Sequence, residues 1–584
     1  MQQMDKISSN IKLIRSAFVK MMIVNMFVMM ASCMCSFIDN IVIGRLLGTE
    51  ALAAVGFFSP LATAVALYNM LVIGVQVLCG NYIGEGKRDQ LDSLFVNVFV
   101  FLAFTAAGVS VLAIVFREGL ATLLGARGFV HTMLCGYIAG YMPGVPAQAL
   151  SAMLMALVTY NNDIRRSYFS AAVMAAGNAA GDILLAGTGT FGIGLASTIS
   201  SILSLCILLP GYFRKDKTLH FKRVPPDWKA IGQAARRGIP VLTFTGGLLV
   251  KNSLLNYTLS TWEGTAGVAV ANVLASCCNI FGIFTGGFGT AYLALSSLYF
   301  GEKDRTSFSG LFRIAIRIGE TCIIVIVAAA IACAPFLSDL FFPAGTPEWE
   351  MGRQMFKLGF LFFPFNILLI AQMNSLRAQG RMMLVNIMSA AEVSLVGLTI
   401  AFTVPLFGSN AAWLANMWVD LLCILVMLGY SWFTLKRVDL NADTIISLPD
   451  NFGASPDEFR EYSLKTMEDV SPVSESVITF CSERGINKKP AMYAGVCVEE
   501  MAKNIFSHGS RPGKNTYVDV RIVVKDDLTI RIRDNCPEFD PRKRLELYQS
   551  RSPEQNFGIR LTAKLAHQID YYNNAGINTL IMWI

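Results

Sequence analysis

Charged residues are scarce in this 584-residue chain: they make up 15% of it, against 54% hydrophobic residues. This composition argues against a soluble multidomain protein, because so much apolar surface has to be covered by something other than water. Cysteine pairs with C-x-x-C spacing are absent, and the 13 cysteines lie mostly within apolar runs. That distribution argues against a disulfide framework or a zinc module. The sequence therefore predicts a membrane protein with buried thiols.

Two further sequence features are missing. No Walker A motif (G-x-x-x-x-G-K-S/T) occurs, so ATP is not the evident motor. No cleavable signal peptide is apparent either, because the apolar run that begins at Met21 is long enough to span a membrane. The basic residues lie in short connections between apolar runs rather than on one soluble face. The expected partner is therefore the lipid bilayer, and nucleic acid is not expected to bind.

Twelve apolar windows divide the chain, each of about 20 residues, which is the length that crosses ~30 Å of hydrocarbon. The first six lie near 17–38, 56–83, 93–116, 129–158, 167–187 and 191–212. The other six lie near 237–259, 265–298, 310–335, 354–376, 384–405 and 411–434. The windows predict an all-α polytopic bundle of 12 transmembrane helices in two six-helix lobes.

Charge patterning predicts the topology and the domains. Basic residues gather in every second connection: Lys87 and Arg88, Arg165 and Arg166, residues 214–237, Lys303 and Arg305, Arg377 and Arg381, Lys436 and Arg437. By the positive-inside bias these connections, and both termini, should face the cytoplasm of an inner-membrane protein. The expected domains are an N-terminal lobe (1–220), a C-terminal lobe (221–437), a linker (438–455) and a cytoplasmic tail (456–584).

The two halves contain the same turn. Residues 84–89, Gly-Glu-Gly-Lys-Arg-Asp, reappear 217 residues later as Gly-Glu-Lys-Asp-Arg at 301–305. Pro146 in the fourth window likewise corresponds to Pro364 in the tenth. Because each half has six spans, both halves start on the same side and should be related by an axis along the membrane normal. Such lobes enclose a cleft suited to alternating access.

These features lead to a family. Residues 37–54 (FIDNIVIGRLLGTEALAA), the repeated turn, the Pro146 and Pro364 pair and residues 376–380 (LRAQG) resemble the multidrug and toxic compound extrusion (MATE) transporters. The resemblance covers residues of about 10–440. It implies an antiporter, coupled to H⁺ or Na⁺, that exports small cationic or amphipathic compounds. Some members bend the first helix at a proline, but residues 16–43 contain none, so protonation here would act through helix packing.

Acidic residues inside the windows need a reason, because a charge at mid-bilayer costs roughly 3 kcal/mol on insertion scales. Asp39 closes the first window, and Asn178 and Asp182 share one helix face in the fifth. The resemblance implies that these three residues are the cation-coupling site, and oxygen ligands suit hard cations. Two alternatives stay open. Gly177 and Gly181 indicate a packing face that Asn178 would serve, and Asp39 would be solvated at the interface.

Other charged residues in the windows have less certain roles. Lys251 in the seventh window and Glu392 in the eleventh are candidates for an internal ion pair or for substrate-facing charges. Glu320 and Asp420 are interpreted as solvated residues near helix ends.

The tail alternates helix and strand patterns. Helices are expected at 456–484, 490–507 and 558–567, and strands at 517–524, 528–533 and 579–584. Two aspartates, Asp526 and Asp527, indicate a tight hairpin between the first two strands. This order predicts an α+β sandwich.

Three sequence boxes of the tail resemble the histidine-kinase-like ATPase fold, most closely the anti-sigma-factor serine kinases. Glu500 and Asn504 match a helical Glu-x-x-x-Asn box, and the resemblance implies that Glu500 is catalytic and that Asn504 binds Mg²⁺ and nucleotide. Asp534 stands in an Asp-x-Gly-x-Gly box and would accept from the adenine amino group. Gly558 stands where a Gly-x-Gly loop opens a helix towards phosphate. ATP and Mg²⁺ are thus the implied cofactors.

Glycines are missing from two of these boxes. Cys536 and Glu538 replace both glycines of the second box, and Asn556 replaces one of the third. Glycine permits close backbone approach, and a carboxylate at Glu538 would repel a nucleotide. Protein serine kinase or ATPase activity is therefore expected to be weak or lost. The alternative is a degenerate module that docks a cytoplasmic protein partner.

Three functions fit these observations. The first is a cation-coupled antiporter with a small-molecule substrate and a tail that regulates it. The second is a receptor whose bundle binds a ligand and controls a serine-kinase-like output domain. The third is a lipid-linked flippase built on the same bundle.

Overall fold

A computed structural model describes residues 2–214, 217–509, 515–525, 527–542, 557–574 and 576–584. Within these ranges, eleven helices are long and apolar enough to cross a membrane, and a twelfth crossing is a helix pair bent by 47°. The prediction of twelve helices is confirmed if this pair, which lies in the tenth window, counts as one span. The spans are numbered 1 to 12 in chain order below.

The helices follow the predicted windows. Spans 1 to 6 are formed in order by Gln2–Val42, Thr49–Val65 with Asn69–Gly84, Arg88–Val115, Gly128–Tyr141 with Val145–Leu157, Ile164–Leu185, and Thr190–Leu208. Spans 7 to 12 are formed by Trp228–Trp262, Gly264–Gly301, Arg305–Ala332, Pro347–Leu358 with Phe363–Ala378, Met382–Phe407, and Ser409–Leu435. Short helices follow spans 3 and 9, at equivalent places in the two halves: Arg117–Leu123 and Ala334–Phe341.

The repeated turn has the same backbone form in both halves. Gly86 has a φ of 70°, and its counterpart Lys303 has a φ of 53°. The two copies also meet, because a Cβ on Gly84 would lie 2.8 Å from the carbonyl carbon of Gly301. Only residues without a side chain permit such an approach. The two turns, 84–89 and 301–305, thus close the bundle at one end and are called the gate here.

The tail folds as an antiparallel sheet with helices on one face. The five strands, in the sheet order β1-β2-β3-β5-β4, are β1 Phe459–Leu464, β2 Val518–Val524, β3 Leu528–Asp534, β4 Gln568–Asn574 and β5 Ile577–Trp583. The covering helices are α1 Val470–Glu483, α2 Lys488–Asn504 and α3 Phe557–Leu565. Alternate strand residues such as Val520, Ile522 and Ile530 pack with these helices in one core. The predicted α+β sandwich is confirmed.

Two predictions for the tail were wrong. The helix expected over 456–484 begins only at residue 470, because residues 459–464 form an edge strand that pairs antiparallel with β2. Strand β4 was not predicted at all. Strand β1 is held by pairing with β2, a partner far away in sequence, which a local pattern does not reveal. Strand β4 pairs with the next strand, β5, so the prediction missed a local hairpin there. The β2–β3 hairpin is confirmed, although Asp526 lies outside the described residues.

The second face of the sheet packs on the gate. Arg521, Arg531 and Arg533 point to this face, and each is at most 5% exposed. Arg521 Nη1 donates to Asp304 Oδ1 at 2.6 Å, and Arg531 Nη1 donates to Glu302 Oε2 at 3.1 Å. Arg533 donates to Glu302 as well. Burial alone would raise the pKa of Asp304, but the three guanidinium groups hold that pKa well below its usual range. The carboxylate therefore stays ionised within the interface.

Asp519 should make the stability of the tail depend on pH. Burial raises the pKa of Asp519 to about 7; Glu461 adds to the rise and Arg531 opposes it. Because the folded chain then binds this proton more tightly than the unfolded chain, the free energy of unfolding falls as pH rises from about 4 to about 7. Asp519→Asn imitates the protonated acid. The melting temperature of the variant minus that of the wild type should be several degrees larger at pH 8 than at pH 5.

The measurement is thermal unfolding of the full-length protein at both pH values. Glu483→Gln, which replaces an exposed acid of α1, serves as the control and should show no such pH dependence. If the difference in melting temperature between Asp519→Asn and the wild type is the same at pH 5 and at pH 8, Asp519 does not titrate in this range.

Candidate functional site

Three residues predicted from the sequence meet in the N-terminal lobe, between spans 1 and 5. Asn178 Nδ2 donates to Asp39 Oδ1 and also to Asp182 Oδ2, the latter at 3.2 Å. A residue that the sequence did not single out, Ser200 on span 6, donates to Asn178 Oδ1 at 3.3 Å. These four residues are called the N-lobe acid site. One amide nitrogen therefore holds two carboxylates close together in an apolar bundle.

The N-lobe acid site is buried and incompletely satisfied. Asn178 is 3% exposed and Asp182 is 0% exposed. Oδ1 of Asp182 has no hydrogen-bond partner among the described residues. Two neighbouring carboxylates repel each other when both are ionised, and a bound proton or metal cation removes that repulsion. The site is thus chemically suited to take up one positive charge.

The glycines of span 5 pack as the packing alternative expects. A Cβ on Gly181 would lie 2.8 Å from Cβ of Ala196, and one on Gly177 would lie 3.8 Å from Cβ of Ser200. The small residues therefore let span 5 approach span 6, as in other membrane bundles. The Asn178 side chain bonds to neighbouring spans through Asp39 and Ser200, and it also bonds to Asp182 on its own span, so packing and cation coupling both stay open for this residue. Beyond Asp39, span 1 continues into a π-helical turn, Ile43–Leu47, a form that often occurs at functional sites.

A second polar cluster lies in the C-terminal lobe. Asn366 Nδ2 on span 10 donates to Glu392 Oε1 on span 11 and to Asp420 Oδ2 on span 12, both at 3.3 Å. Lys251 Nζ on span 7 donates to Asn416 Oδ1 at 2.8 Å. These five residues are called the C-lobe polar cluster. Each lobe thus contains one asparagine amide between two carboxylates, but only the C-lobe cluster includes a lysine.

Two interpretations of charged residues need correction. Asp420 is not solvated near a helix end: it is 3% exposed within Ser409–Leu435. Glu320 lies within Arg305–Ala332 and is half-buried. An ion pair or a substrate-facing position was expected for Lys251 and Glu392. The structure shows no direct pair between these two residues, because each bonds to an asparagine, and the substrate-facing position stays a prediction. Polar residues inside apolar windows, Asn366 and Asn416, were the signal that could have located this cluster.

In the tail, Asp534 has the surroundings of an adenine-recognition residue. It ends β3, and its Oδ1 accepts from Cys536 N at 2.8 Å and from Asn578 Nδ2 at 2.7 Å. Burial raises the pKa of Asp534 to about 6, while Asn578 and the Cys536 amide oppose the rise. The two donors fix the orientation of the carboxyl group beneath the helix layer. A buried acceptor held in this way is suited to bind an amino group of a ligand.

The other two boxes meet at the start of α3. A Cβ on Gly558 would lie 2.0 Å from Glu500 Oε2, so the carboxylate rests on the glycine backbone. Nδ2 of Asn504 is buried without a partner in the part of the chain that the structure describes. An unpaired buried amide is a group that a nucleotide phosphate would satisfy. Asp534 and Asn504 therefore fit a nucleotide, whereas the Glu500 carboxylate lies where a phosphate would approach Gly558, and Asn556 of the third box lies outside the described residues.

Each lobe also binds the C-terminal part of the chain through an equivalent arginine. Arg88 in the first copy of the turn donates through Nε and Nη2 to Asp570 Oδ1 of β4, at 3.0 and 2.7 Å. Arg305 in the second copy donates through Nη2 to Asp443 Oδ2 of the linker, at 2.7 Å. Since Glu302 and Asp304 bind the sheet as well, the tail bridges the two halves of the gate. No local sequence pattern predicted this bridge.

Two six-span lobes with a buried acid site, closed at one end by a soluble α+β domain, define a polytopic membrane transporter. The MatE family profile matches residues 25–179 and 241–403, which is more than half of the chain. The chain belongs to the MatE (MATE) transporter family. The profile of the histidine kinase-like ATPase domain matches residues 465–584. Transporters of the first kind are ion-coupled, and domains of the second kind bind ATP.

The relatives agree on the transporter part. The chain is 23% identical to the "Probable multidrug resistance protein NorM" of Xanthomonas axonopodis pv. citri, over 56% of this chain and 76% of that protein. A MOP superfamily transporter from Pyrococcus furiosus is similar with a TM-score of 0.66 and 18% identity, covering 72% of this chain and 96% of that one. A mutant of the Vibrio cholerae MATE transporter VcmN is similar with a TM-score of 0.65 and 16% identity, covering 73% of this chain and 96% of that one. These solved structures show the fold alone.

Lys251 should be essential for the stability of the C-lobe polar cluster. Lys251→Met removes the cation of a cluster that also contains two buried acids, and a buried ion left without a compensating charge costs on the order of several kcal/mol. We expect the variant to melt at a clearly lower temperature in detergent, as measured by thermal unfolding with size-exclusion detection. Lys251→Met combined with Glu392→Gln should recover part of the loss. If the single variant is as stable as the wild type, the lysine does not balance these acids.

Proposed function

We propose that this protein is an inner-membrane antiporter that exchanges H⁺ or Na⁺ for small cationic or amphipathic compounds and exports them. The gate, both termini and the tail then lie on the cytoplasmic side, in agreement with the basic connections. The observation that best supports this proposal is the N-lobe acid site, where two carboxylates share one amide and the site itself contains no basic group. The multidrug resistance protein among the relatives supports the class of substrate.

The difference between the lobes supports a division of roles. The N-lobe acid site has two acids and no base, so it needs an exchangeable cation to become neutral. The C-lobe polar cluster has two acids and Lys251, so its charge is partly balanced within the protein. Exchange of a cation should therefore occur in the N-lobe, and Lys251 and Glu392 are proposed to face the substrate. Movement of the two lobes about the gate would then expose the N-lobe acid site to one side at a time.

Removing one acid of the N-lobe acid site should abolish coupling. Asp182→Asn keeps the hydrogen-bonding shape but leaves a single carboxylate, so we expect at least a tenfold loss of gradient-driven export. The measurement is dye efflux in proteoliposomes driven separately by a pH gradient and by a Na⁺ gradient, which also identifies the ion. Glu320→Gln, a half-buried acid of span 9 outside both clusters, is the control. Undiminished efflux by Asp182→Asn under both gradients would refute the coupling site.

We further propose that the tail regulates transport by holding the gate closed. Its sheet binds Glu302 and Asp304 of the C-terminal lobe, and Asp570 binds Arg88 of the N-terminal lobe. Opening the cytoplasmic side requires the turns at 84–89 and 301–305 to separate. That separation would break Arg88 from Asp570 or detach the buried arginines of the sheet. The docked tail therefore opposes opening.

Nucleotide binding is proposed as the input to this regulation. Asp534 and Arg533 are consecutive residues of β3 and point to opposite faces of the sheet. Asp534 faces the helices, where adenine would bind, and Arg533 contacts Glu302 of the gate. When ATP is bound with Mg²⁺, Asn504 would lie beside its phosphates and Glu500 beside the helix that contacts them. Occupancy at one face of β3 would then alter the arginine contacts at the other.

The two equivalent arginines should differ in their effect on transport. Arg88→Gln removes the ion pair between the N-terminal lobe and Asp570 of β4, and we expect a two- to tenfold faster efflux because opening then breaks fewer contacts. Arg305→Gln releases only the linker, while Glu302 and Asp304 still bind the sheet, so its effect should be smaller. The measurement is the initial efflux rate of both variants in proteoliposomes. Equal rates for wild type and Arg88→Gln would contradict the proposed role of the tail.

The receptor function has one observation in its favour. Coupling between two sites is reciprocal for binding, so a substrate that moves the gate must also alter the tail. The buried contacts between Glu302 and the β3 arginines could carry such a signal to a cytoplasmic protein partner. Phosphorylation of a protein by the full-length chain, dependent on substrate and lost in Glu500→Ala, would favour this function over simple export.

A further inference from the structure

A cavity of about 790 Å³ lies between the gate and the sheet of the tail. Both copies of the repeated turn form one wall, through residues 84–87 and 300–303. Strands β2, β3 and β5 form the opposite wall, and residues 449–454 of the linker close one side. A volume of this size is within the usual range for small-molecule sites. The cavity, called the gate cavity here, therefore touches both lobes and the tail at once.

The gate cavity is predominantly basic. Three of its lining side chains are acidic: Glu85, Glu302 and Asp527. Six are basic: Lys87, Lys303, Arg381, Arg521, Lys525 and Arg531. An excess of positive charge in a recess with protein walls raises the local concentration of anions. The electrostatics thus favour an anionic occupant.

Several of these basic groups are available to bind an anion. In the part of the chain that the structure describes, neither Lys303 nor Arg381 has an acidic partner; Arg381 Nη1 donates to the Tyr430 hydroxyl at 3.5 Å. Arg531 is 5% exposed, and its Nε has no hydrogen-bond partner among those residues. A buried donor without a partner is rare in folded proteins. The Nη atoms of Arg531 pair with Glu302, Asp304 and Asp519. The recess is therefore lined by Lys303 and Arg381 of the C-terminal lobe, which have no acidic partner, and by Arg531 of the tail, which has one nitrogen unpaired.

Three residues of the lining are aromatic: Phe300, Phe452 and Trp583. Phe300 and Phe452 stack with their ring centres 4.7 Å apart, and Trp583 of β5 lies in the wall near Gly86. Planar rings and arginine side chains bind flat organic groups well. The combination of unbalanced cations with aromatic surface is typical of sites for ring-bearing anions rather than for simple inorganic ions.

We propose that the gate cavity binds a small organic anion that carries a planar ring and at least two negative charges. Phosphate or carboxylate groups would bind Lys303, Arg381 and Arg531, and the ring would lie against Trp583. Such an occupant is bound to the C-terminal lobe and the tail and lies against Gly84, Glu85 and Lys87 of the N-terminal lobe, so it should hold the gate closed. This second step rests on the proposed regulatory role of the tail, whereas the binding site itself does not.

Binding is tested by isothermal titration of ADP, as a ring-bearing polyanion, and of inorganic pyrophosphate into the full-length protein in detergent. We expect Lys303→Ala with Arg381→Ala to weaken ADP binding at least tenfold. Lys488→Ala, an exposed lysine on the far helix layer of the tail, should leave it unchanged. Asp534→Asn separates the two candidate sites, because binding in the gate cavity should persist when the adenine-recognition residue is lost.

Two results would overturn the site. One is the absence of any binding of ADP or pyrophosphate. The other is ADP binding that survives Lys303→Ala with Arg381→Ala and disappears in Asp534→Asn, which would place ADP in the tail domain alone. Regulation is tested separately by adding ADP to the tail-bearing side of proteoliposomes. Efflux should slow in the wild type and not in the double variant. Binding without inhibition would refute closure of the gate by the ligand, but it would still support the binding site.

Discussion

Five charged residues that are removed from water bind the tail to the bundle. Arg521, Arg531 and Arg533 face Glu302 and Asp304, and all five have side chains at most 6% exposed. Isolated ions would not be stable there, because each loses its hydration and several kcal/mol with it. Together they satisfy one another, so the interface is stable only when the sheet and the gate are in register. A buried ionic network of this kind specifies a geometry more than it adds stability.

The same constraint shapes the interior of the bundle, with a different outcome in each lobe. An asparagine amide separates two carboxylates in both lobes: Asn178 in the N-lobe acid site and Asn366 in the C-lobe polar cluster. An amide donates two hydrogen bonds but brings no charge. The C-lobe polar cluster includes the missing charge as Lys251, and the N-lobe acid site includes none. The two lobes form this arrangement from spans that are not equivalent in the repeat, 1 and 5 in the N-terminal lobe and 10, 11 and 12 in the C-terminal lobe, and only the C-lobe polar cluster contains a cation of its own.

The sequence predicted the features that depend on local pattern. Twelve apolar windows, the repeated turn, and the shared helix face of Asn178 and Asp182 follow from periodicity and spacing, and the structure brings these two residues to Asp39. The docking of the tail could not be predicted in this way. Arg531 and Arg533 alternate with Ile530 and Ile532 along β3, and a polar strand face has the same pattern whether it meets water or another domain. Asp420 was misplaced for a related reason, because burial depends on which helices surround a span.

Strand β3 connects the two parts of the molecule physically. Its residues alternate between the helix-covered core, which ends at Asp534, and the face that binds the gate, which includes Arg533. A strand paired on both sides, here by β2 and β5, moves as part of the sheet rather than alone. A shift at the Asp534 end is therefore transmitted to Arg533 through one peptide unit, without a flexible linker between them. Because the ion pair between Arg533 and Glu302 is buried, even a small shift must either carry the gate turn along or break that pair. The coupling proposed between the tail and the gate would therefore use the geometry of a single strand.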